Sequence, residues 1–248
     1  MQMVYRVAEG FDEPDERAMR EVADVLAVGG LALIPTETVY GVAVCVDAFL
    51  ADDPTWPRDP EAAINGSPVP ALGTGYRRIF SLKQRDLAQT VAWLVADERA
   101  LDAYGVDVPD EARAVARAFW PGALTIVVKA APGVPAFMRA PDGTVALRAS
   151  ASPVAQALIR HTASPLACTS SNTHGMPAPA SFAEVEPRIL DGVDTAIDAG
   201  ETPCHDASTI VSFQRGELEI LRQGALSAAD IERVVSSASA VSASGSER

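Results

Sequence analysis

The sequence predicts an α/β domain whose sheet mixes parallel and antiparallel strands. Apolar runs of strand length alternate with segments of helical period, the pattern of interleaved strands and helices. The strands near residues 124–148 and 195–222 follow one another without an intervening helix, so some neighbours must pair antiparallel. No internal repeat divides the 248 residues, and a hydrophobic content of 48% suffices for one substantial core.

Residues 15–29 carry Met19, Val22, Val25, Leu26 and Val28 at mostly helical spacing and stop at Gly29-Gly30. Leu31 to Ile34 reads as a buried strand. It runs into Pro35-Thr36-Glu37-Thr38-Val39-Tyr40-Gly41, where hydroxyls and a carboxylate follow apolar residues; polar groups past a strand end commonly line the ligand crevice of an α/β sheet. From 49 to 75 the chain is rich in proline, small and acidic residues and reads as a long inserted surface loop. Helical spacing resumes from Tyr76 to Leu82, which puts Lys83 and Arg85 at the helix end. Val91 to Val95 is a buried strand, 98–104 and 110–119 are helices, and Trp120-Pro121-Gly122 stops the second.

Leu124 to Val128 is a strand rich in β-branched residues, and Thr144 to Arg148 is another with a charged last residue. Ser152-Pro153 opens a helix through Ile159, with serine at the cap and proline in the first turn. A short apolar strand, Pro165 to Cys168, leads into Thr169-Ser170-Ser171-Asn172-Thr173-His174-Gly175. A helix near 182–190, strands near 195–197, 208–213 and 218–222, and a helix near 228–235 complete a single domain over residues 1–235. The small, polar stretch 236–248 reads as a disordered tail.

The formal net charge of −13 excludes a chain whose whole surface binds nucleic acid, because such binding rests on Lys and Arg neutralising phosphates. No apolar run approaches the about 20 residues that span a bilayer. The start lacks the basic-then-apolar order of a signal peptide, so a cytoplasmic protein without a membrane partner is expected. Cys45, Cys168 and Cys204 are odd in number and far apart, as reduced thiols are. Cys204-His205-Asp206 lacks the spacing of a metal site, and no metal held by the protein is expected. The chain has no GxxxxGK[ST] phosphate loop, and Gly73-Thr74-Gly75 continues to Arg78 where a dinucleotide fingerprint requires glycine. No GxSxG points to a serine nucleophile.

Two lysines, Lys83 and Lys129, stand against eighteen arginines. In Lys83-Gln84-Arg85 a compact point charge lies beside a planar fork, a combination able to bracket a polyphosphate. Further polar clusters end other apolar segments: Thr36 to Tyr40, Arg148, Ser170 to Asn172, Ser208-Thr209 and Arg222. Singly, each has a structural explanation, the hydroxyls as caps, the arginines as solvated strand ends, Asn172 as a turn residue. Jointly they suggest an anion pocket in an otherwise acidic chain, with Arg148 suited to two-pronged capture of a carboxylate.

In this order the segments IPTETVYGVA, KQR, FWPGALTIVV, TVALRA, PLACTSSNTHG, STIV and LRQG resemble the YrdC-like family of threonylcarbamoyl-AMP synthases, over about residues 15–235. The resemblance implies a YrdC-like twisted sheet with flanking helices around a concave cavity. It also implies synthesis of threonylcarbamoyl-AMP and pyrophosphate from ATP, L-threonine and bicarbonate, the first step toward threonylcarbamoyladenosine in tRNA. ATP is then a substrate, accompanied by Mg²⁺, and a downstream threonylcarbamoyl-transfer complex consumes the product. By the same resemblance Lys83 and Arg85 carry catalysis and join Ser170, Asn172 and Arg222 around ATP. Thr36, Tyr40, Arg148 and Ser208 would meet threonine.

Three features depart from the family pattern. Asp86 replaces the proline after Lys-x-Arg and Thr90-Val91 replaces a Pro-Leu pair; residues 49–75 are an insertion; the extra C-terminal domain of longer members is not expected, as in the short form. Two alternatives share the fold: a paralogue without synthase activity that binds RNA, and a carbamoyl-transfer module. Consumption of ATP that requires threonine and bicarbonate separates the synthase from salt-sensitive RNA binding without turnover.

Overall fold

The computed structural model describes residues 3–7, 15–50, 56–214 and 217–245. The chain begins with β1 (Met3–Arg6), α1 (Glu16–Ala27), β2 (Ala32–Pro35) and β3 (Tyr40–Cys45). A hairpin, β4 (Arg58–Ile64) and β5 (Ser67–Pro70), precedes α2 (Gly75–Lys83), β6 (Ala92–Leu94), α3 (Ala100–Tyr104) and α4 (Asp110–Phe119). Then come β7 (Leu124–Lys129), β8 (Thr144–Arg148), α5 (Pro153–Thr162) and β9 (Leu166–Ser170). The last elements are α6 (Pro187–Asp191), β10 (Thr195–Asp198), β11 (Thr209–Ser212), β12 (Glu219–Arg222) and α7 (Ala228–Gly245).

Ten strands form one sheet in the order β1-β10-β2-β3-β9-β6-β8-β7-β11-β12. The β1–β10, β10–β2, β6–β8 and β7–β11 pairs are parallel and the others antiparallel, the mixture expected from strands joined both with and without helices. Alternate residues of a strand face opposite sides. Leu33, Val42, Trp93, Ile126 and Leu147 therefore pack on one face with the buried residues of α2 and α4. Ile34, Ala43, Leu94 and Cys168 face the other way, beneath α1 and α5. Those two helices cover only part of their face. The strands beyond them, β6, β8, β7, β11 and β12, leave a concave surface open at their ends.

Several sequence expectations need correction. Residues 49–75 are not a loop throughout, because β4 and β5 pair as an antiparallel hairpin across Asn65 and Gly66, both with positive φ (50° and 74°). Asn-Gly is the two-residue turn that matches strand twist. The neighbouring prolines mask that signal, although proline is tolerated at a ribbon's edge. Tyr40–Cys45 is a strand buried along its whole length, so it lacks the alternation by which half-buried strands are recognised. The helix near 182–190 is a single 3₁₀ turn, Phe182–Glu184, followed by α6, since Pro187 favours an extended residue before it. The tail expected from 236 onward is helical to Gly245 as the end of α7, which packs on α4. Residues 246–248 lie outside the described residues. No described helix is long and apolar enough to cross a membrane.

The hairpin is part of the core and buttresses α2. Trp56 stacks edge-on against Phe49 and Phe137 at centroid distances of 6.2 and 5.9 Å, and its Nε1 donates to the Leu50 carbonyl at 2.9 Å. Phe137 in turn meets Tyr76 of α2 at 5.3 Å, and Arg77 of α2 pairs with Asp59 of β4 at 2.9 Å. Trp56→Ala is expected to destabilise the protein by about 3–5 kcal/mol, the usual effect of deleting a buried aromatic. Chemical denaturation measures this, and a loss below about 1 kcal/mol would place the hairpin outside the core.

Candidate active site

The open sheet face ends in a cavity of about 340 Å³. Its floor consists of residues two apart on neighbouring strands: Ala92 and Leu94, Thr125 and Val127, Ala146 and Arg148, Cys168 and Ser170. Small residues on this side leave the space, while the alternate residues Trp93, Ile126 and Leu147 fill the core behind it. Thr36, Tyr40, Arg85, Arg148, Ser170, Ser208 and Arg222, all named from the sequence, line the cavity. Lys83 and Asn172 stand directly behind its wall.

Helix α2 delivers the first two cations. Thr74 caps its N-terminus, and at its C-terminus Gln84 turns left-handed (φ 51°) so that its N–H and that of Arg85 reach back to the Phe80 carbonyl, the latter at 2.9 Å. Lys83, only 3% exposed, then points Nζ into the turn after β9. There it donates to the Ser170 carbonyl at 2.5 Å, the Asn172 carbonyl at 2.9 Å and Asn172 Oδ1 at 3.1 Å, with Ser170 Oγ at 3.4 Å. The Lys-x-Arg and Ser-x-Asn segments, 87 residues apart, are thus one unit. Burial, and then the charge of Arg85, pushes the Lys83 ammonium down from an ordinary 10.5 to about 8.

Arg85 donates from Nε to Gln89 Oε1 at 2.7 Å, from Nη1 to Thr169 Oγ1 at 3.3 Å and from Nη2 to the Thr90 carbonyl at 2.5 Å. The segment that departs from the family pattern is what holds it. Asp86 closes that turn by accepting the Ala88 N–H at 2.8 Å. Across the cavity Arg222 donates to the Ser208 carbonyl at 2.7 Å and to Ser208 Oγ at 3.1 Å, and Ser208 shares a 2.9 Å hydrogen bond with Thr125. Gly224 makes this approach possible, since a Cβ there would lie 2.1 Å from the Ala207 carbonyl oxygen. Burial lowers the pKa of both arginines, and the neighbouring Arg148 adds to the effect at Arg222. Lys83, Arg85 and Arg222 all bond neutral oxygens, and among the described residues no carboxylate lies within ion-pair distance of any of them. The cavity therefore carries unneutralised positive charge.

Arg148 differs. Its Nη2 lies 2.7 Å from Glu37 Oε1 and donates to Thr38 Oγ1 at 2.9 Å, while Nε donates to the Gly122 carbonyl at 3.1 Å. With Nε and Nη2 engaged, Nη1 is the nitrogen left for a ligand, so the two-pronged carboxylate capture expected from the sequence gives way to a one-nitrogen contact. Glu37 is buried, which raises its pKa, but the charge of Arg148 and the hydrogen bond from Ser150 outweigh this and hold the carboxyl below its usual range. Two other expectations shift. The Thr36 hydroxyl donates to the Val39 carbonyl at 2.6 Å within its own turn, and the Tyr40 hydroxyl donates to the Gly200 carbonyl at 3.0 Å while accepting the Ala199 N–H at 2.9 Å. Sequence reasoning passed over Glu37, Thr38, Thr125 and Thr169. All four stand inside quoted motifs, and the two-residue period puts Thr125 on the same face as Val127.

The cavity lining contains no carboxylate, and among the described residues no group of three or more His, Cys, Asp or Glu can hold a metal ion. The residues present therefore fit an anion and not a metal held by the protein.

A family model named Sua5_yciO_yrdC and described as "Telomere recombination" matches residues 73–224. The chain is 33% identical over 233 residues to a Mycobacterium tuberculosis protein named "Putative threonylcarbamoyl-AMP synthase", covering 92% of this chain and 96% of that one. It is similar to the crystal structure of Pyrococcus abyssi Sua5 complexed with L-threonine, with a TM-score of 0.78 and 28% identity. That match covers 94% of this chain and 61% of the longer archaeal chain. The Escherichia coli YciO structure is similar in fold, with a TM-score of 0.72 at 19% identity, over 90% of this chain and 96% of that one.

Tyr40→Phe leaves the Ala199 N–H and the Gly200 carbonyl without their partner and is expected to lower stability by about 1–3 kcal/mol. Its effect on amino-acid affinity should stay within about two-fold; a large loss of affinity with unchanged stability would return the hydroxyl to the site. Lys83 gives a second test. Between about pH 8 and 10.5 the unfolded lysine keeps a proton that the folded one has released, so the contribution of Lys83 to stability rises with pH over that window. The stability of wild type relative to Lys83→Met should therefore increase from pH 8 to 10.5. A flat difference in denaturation experiments would contradict this.

Proposed function

The chain belongs to the Sua5–YciO–YrdC family, and on that premise we propose that it is an L-threonylcarbamoyladenylate synthase, using ATP, L-threonine and bicarbonate. The observation that carries the reading is the set of three cations, Lys83, Arg85 and Arg222, held by neutral oxygens around one cavity. Uncompensated positive charge in a chain of net charge −13 needs a polyanionic ligand to balance it. Relatives that carry the synthase name make the chain an enzyme; the nucleotidyl-transfer class is the finer step of this proposal.

The chemistry follows from charge. The amine of threonine takes up bicarbonate with loss of water and becomes a carbamate. A carbamate oxygen then forms a bond to the α-phosphorus of ATP as the bond to the β-phosphate oxygen breaks, and pyrophosphate leaves. Both reactants are anions, so their approach has to be offset by cations placed in advance. Arg85 and Arg222 face the triphosphate, and Lys83 fixes the Ser170 and Asn172 carbonyls while adding its charge from behind the wall. Arg148 meets the amino-acid carboxylate through Nη1, near Thr36 and Thr38. Ser208, whose hydroxyl is oriented by Thr125 and Arg222, meets the substrate hydroxyl. Magnesium enters with ATP, bound to its phosphates, as part of the substrate. The adenylate is passed to a threonylcarbamoyl-transfer complex acting on tRNA, in the cytoplasm.

Pyrophosphate release from ATP, with threonine and bicarbonate omitted in turn, tests the reading: release is expected only when both are present. Release independent of threonine would overturn it. Lys83→Ala and Arg85→Ala should each lower adenylate formation by about 10²-fold, the effect of removing one preorganised charge-stabilising group. Near-wild-type rates would remove these residues from the machinery.

A further inference from the structure

The cavity has two electrostatic ends. One, formed by Lys83, Arg85 and Arg222, carries positive charge with no carboxylate beside it. At the other, Arg148 and Glu37 are each 7% exposed and form an ion pair at 2.7 Å, so their charges cancel within the wall. Glu37 is held from three sides. The Ser150 hydroxyl donates to its Oε2, the Cys204 N–H donates to its main-chain carbonyl at 2.9 Å, and its neighbour Thr38 donates or accepts at Thr36 while receiving Arg148 Nη2. Thr202 clasps the same turn through the Thr38 carbonyl at 2.8 Å. A carboxylate so firmly placed, with no surface toward the cavity, cannot serve as a proton carrier for substrate. Its effect on ligands must come through Arg148.

We propose that Glu37 is a specificity-determining residue that keeps the Arg148 end of the cavity electroneutral, so that this end accepts a zwitterionic amino acid and rejects phosphate groups. The inference rests on the reading of the cavity as a site for ATP and threonine. Arg148 is close enough to Arg222 for the two charges to repel. Without Glu37 the two arginines would form a continuous cationic wall, on which a triphosphate could settle in more than one register. With Glu37 the phosphates have a single favourable place, against Arg85 and Arg222. A net-neutral amino acid loses nothing at the neutral end, because one nitrogen of Arg148 remains for its carboxylate. Discrimination here comes from denying charge to the wrong ligand as much as from contacts to the right one.

Inorganic phosphate is the probe, in assays of threonine-dependent adenylate formation. In the wild type, phosphate should compete with ATP and not with threonine. In Glu37→Gln, which removes the charge and keeps the volume, phosphate should become competitive with threonine, with an inhibition constant lower by about 10-fold or more. Glu37→Asp, which restores the charge, should restore the wild-type pattern. Competition between phosphate and threonine in the wild type would overturn the proposal, as would a folded Glu37→Gln enzyme with the wild-type pattern. The wild-type measurement decides even if Glu37→Gln does not fold. A wild type that makes no threonine-dependent product overturns the functional reading, and this proposal with it, and is distinct from either inhibition result.

Discussion

The Lys83 ammonium is the interaction on which the site depends. A buried cation has to replace its lost hydration, and Lys83 does so with main-chain and side-chain oxygens of Ser170 and Asn172 instead of a carboxylate. That choice couples two distant stretches of chain, since the end of α2 cannot move without unseating the turn after β9. It also leaves the charge unspent. The lowered pKa of Lys83 records the tension between burial and charge, and so does the depressed pKa of Arg85 and Arg222. A fold selected for stability alone would pair these groups with acids; here the acids are elsewhere, and the cavity is left to be neutralised by what binds in it.

The single acid admitted to the wall sits where it alters this balance least for phosphates and most for an amino acid. The Arg148–Glu37 pair breaks the cationic lining into two unlike halves, and the sheet fixes the distance between them. Arg148 ends β8 and Arg222 ends β12, and β7 and β11 lie between them. Their separation is therefore set by strand spacing and not by flexible loops. The hairpin between Trp56 and Pro70 reinforces the other half from behind, because its aromatic contacts hold the helix that carries Lys83 and Arg85. An insertion far from the cavity in sequence thus helps to aim its cations.

Much of this was legible in the sequence. The alternation in Leu124 to Val128 and in Thr144 to Arg148 puts large residues on one face and small or polar ones on the other, which is the cavity floor in outline. Polar clusters at strand ends converge because strand ends of one sheet are neighbours. What was not legible depends on contacts across the fold. Nothing near Arg148 in the chain reveals that Glu37 already occupies one of its nitrogens, and nothing near Tyr40 reveals that Ala199 and Gly200 claim its hydroxyl. The hairpin was hidden for a local reason: five prolines drew attention from one Asn-Gly turn. The buried strand Tyr40–Cys45 was hidden because a strand covered on both faces loses its period.

Gly41 lies in the floor of the cavity, where β3 and β9 pair, and a side chain there would come within 2.6 Å of Cys168 Sγ and 3.1 Å of the Thr169 carbonyl oxygen. The two strands are packed as closely as backbones allow. A floor with no slack cannot yield to its contents, so it acts as a rigid template. Any adjustment to an arriving molecule falls to the turns around the rim, and the cost of that adjustment, chiefly lost loop freedom, is paid above the sheet and never within it.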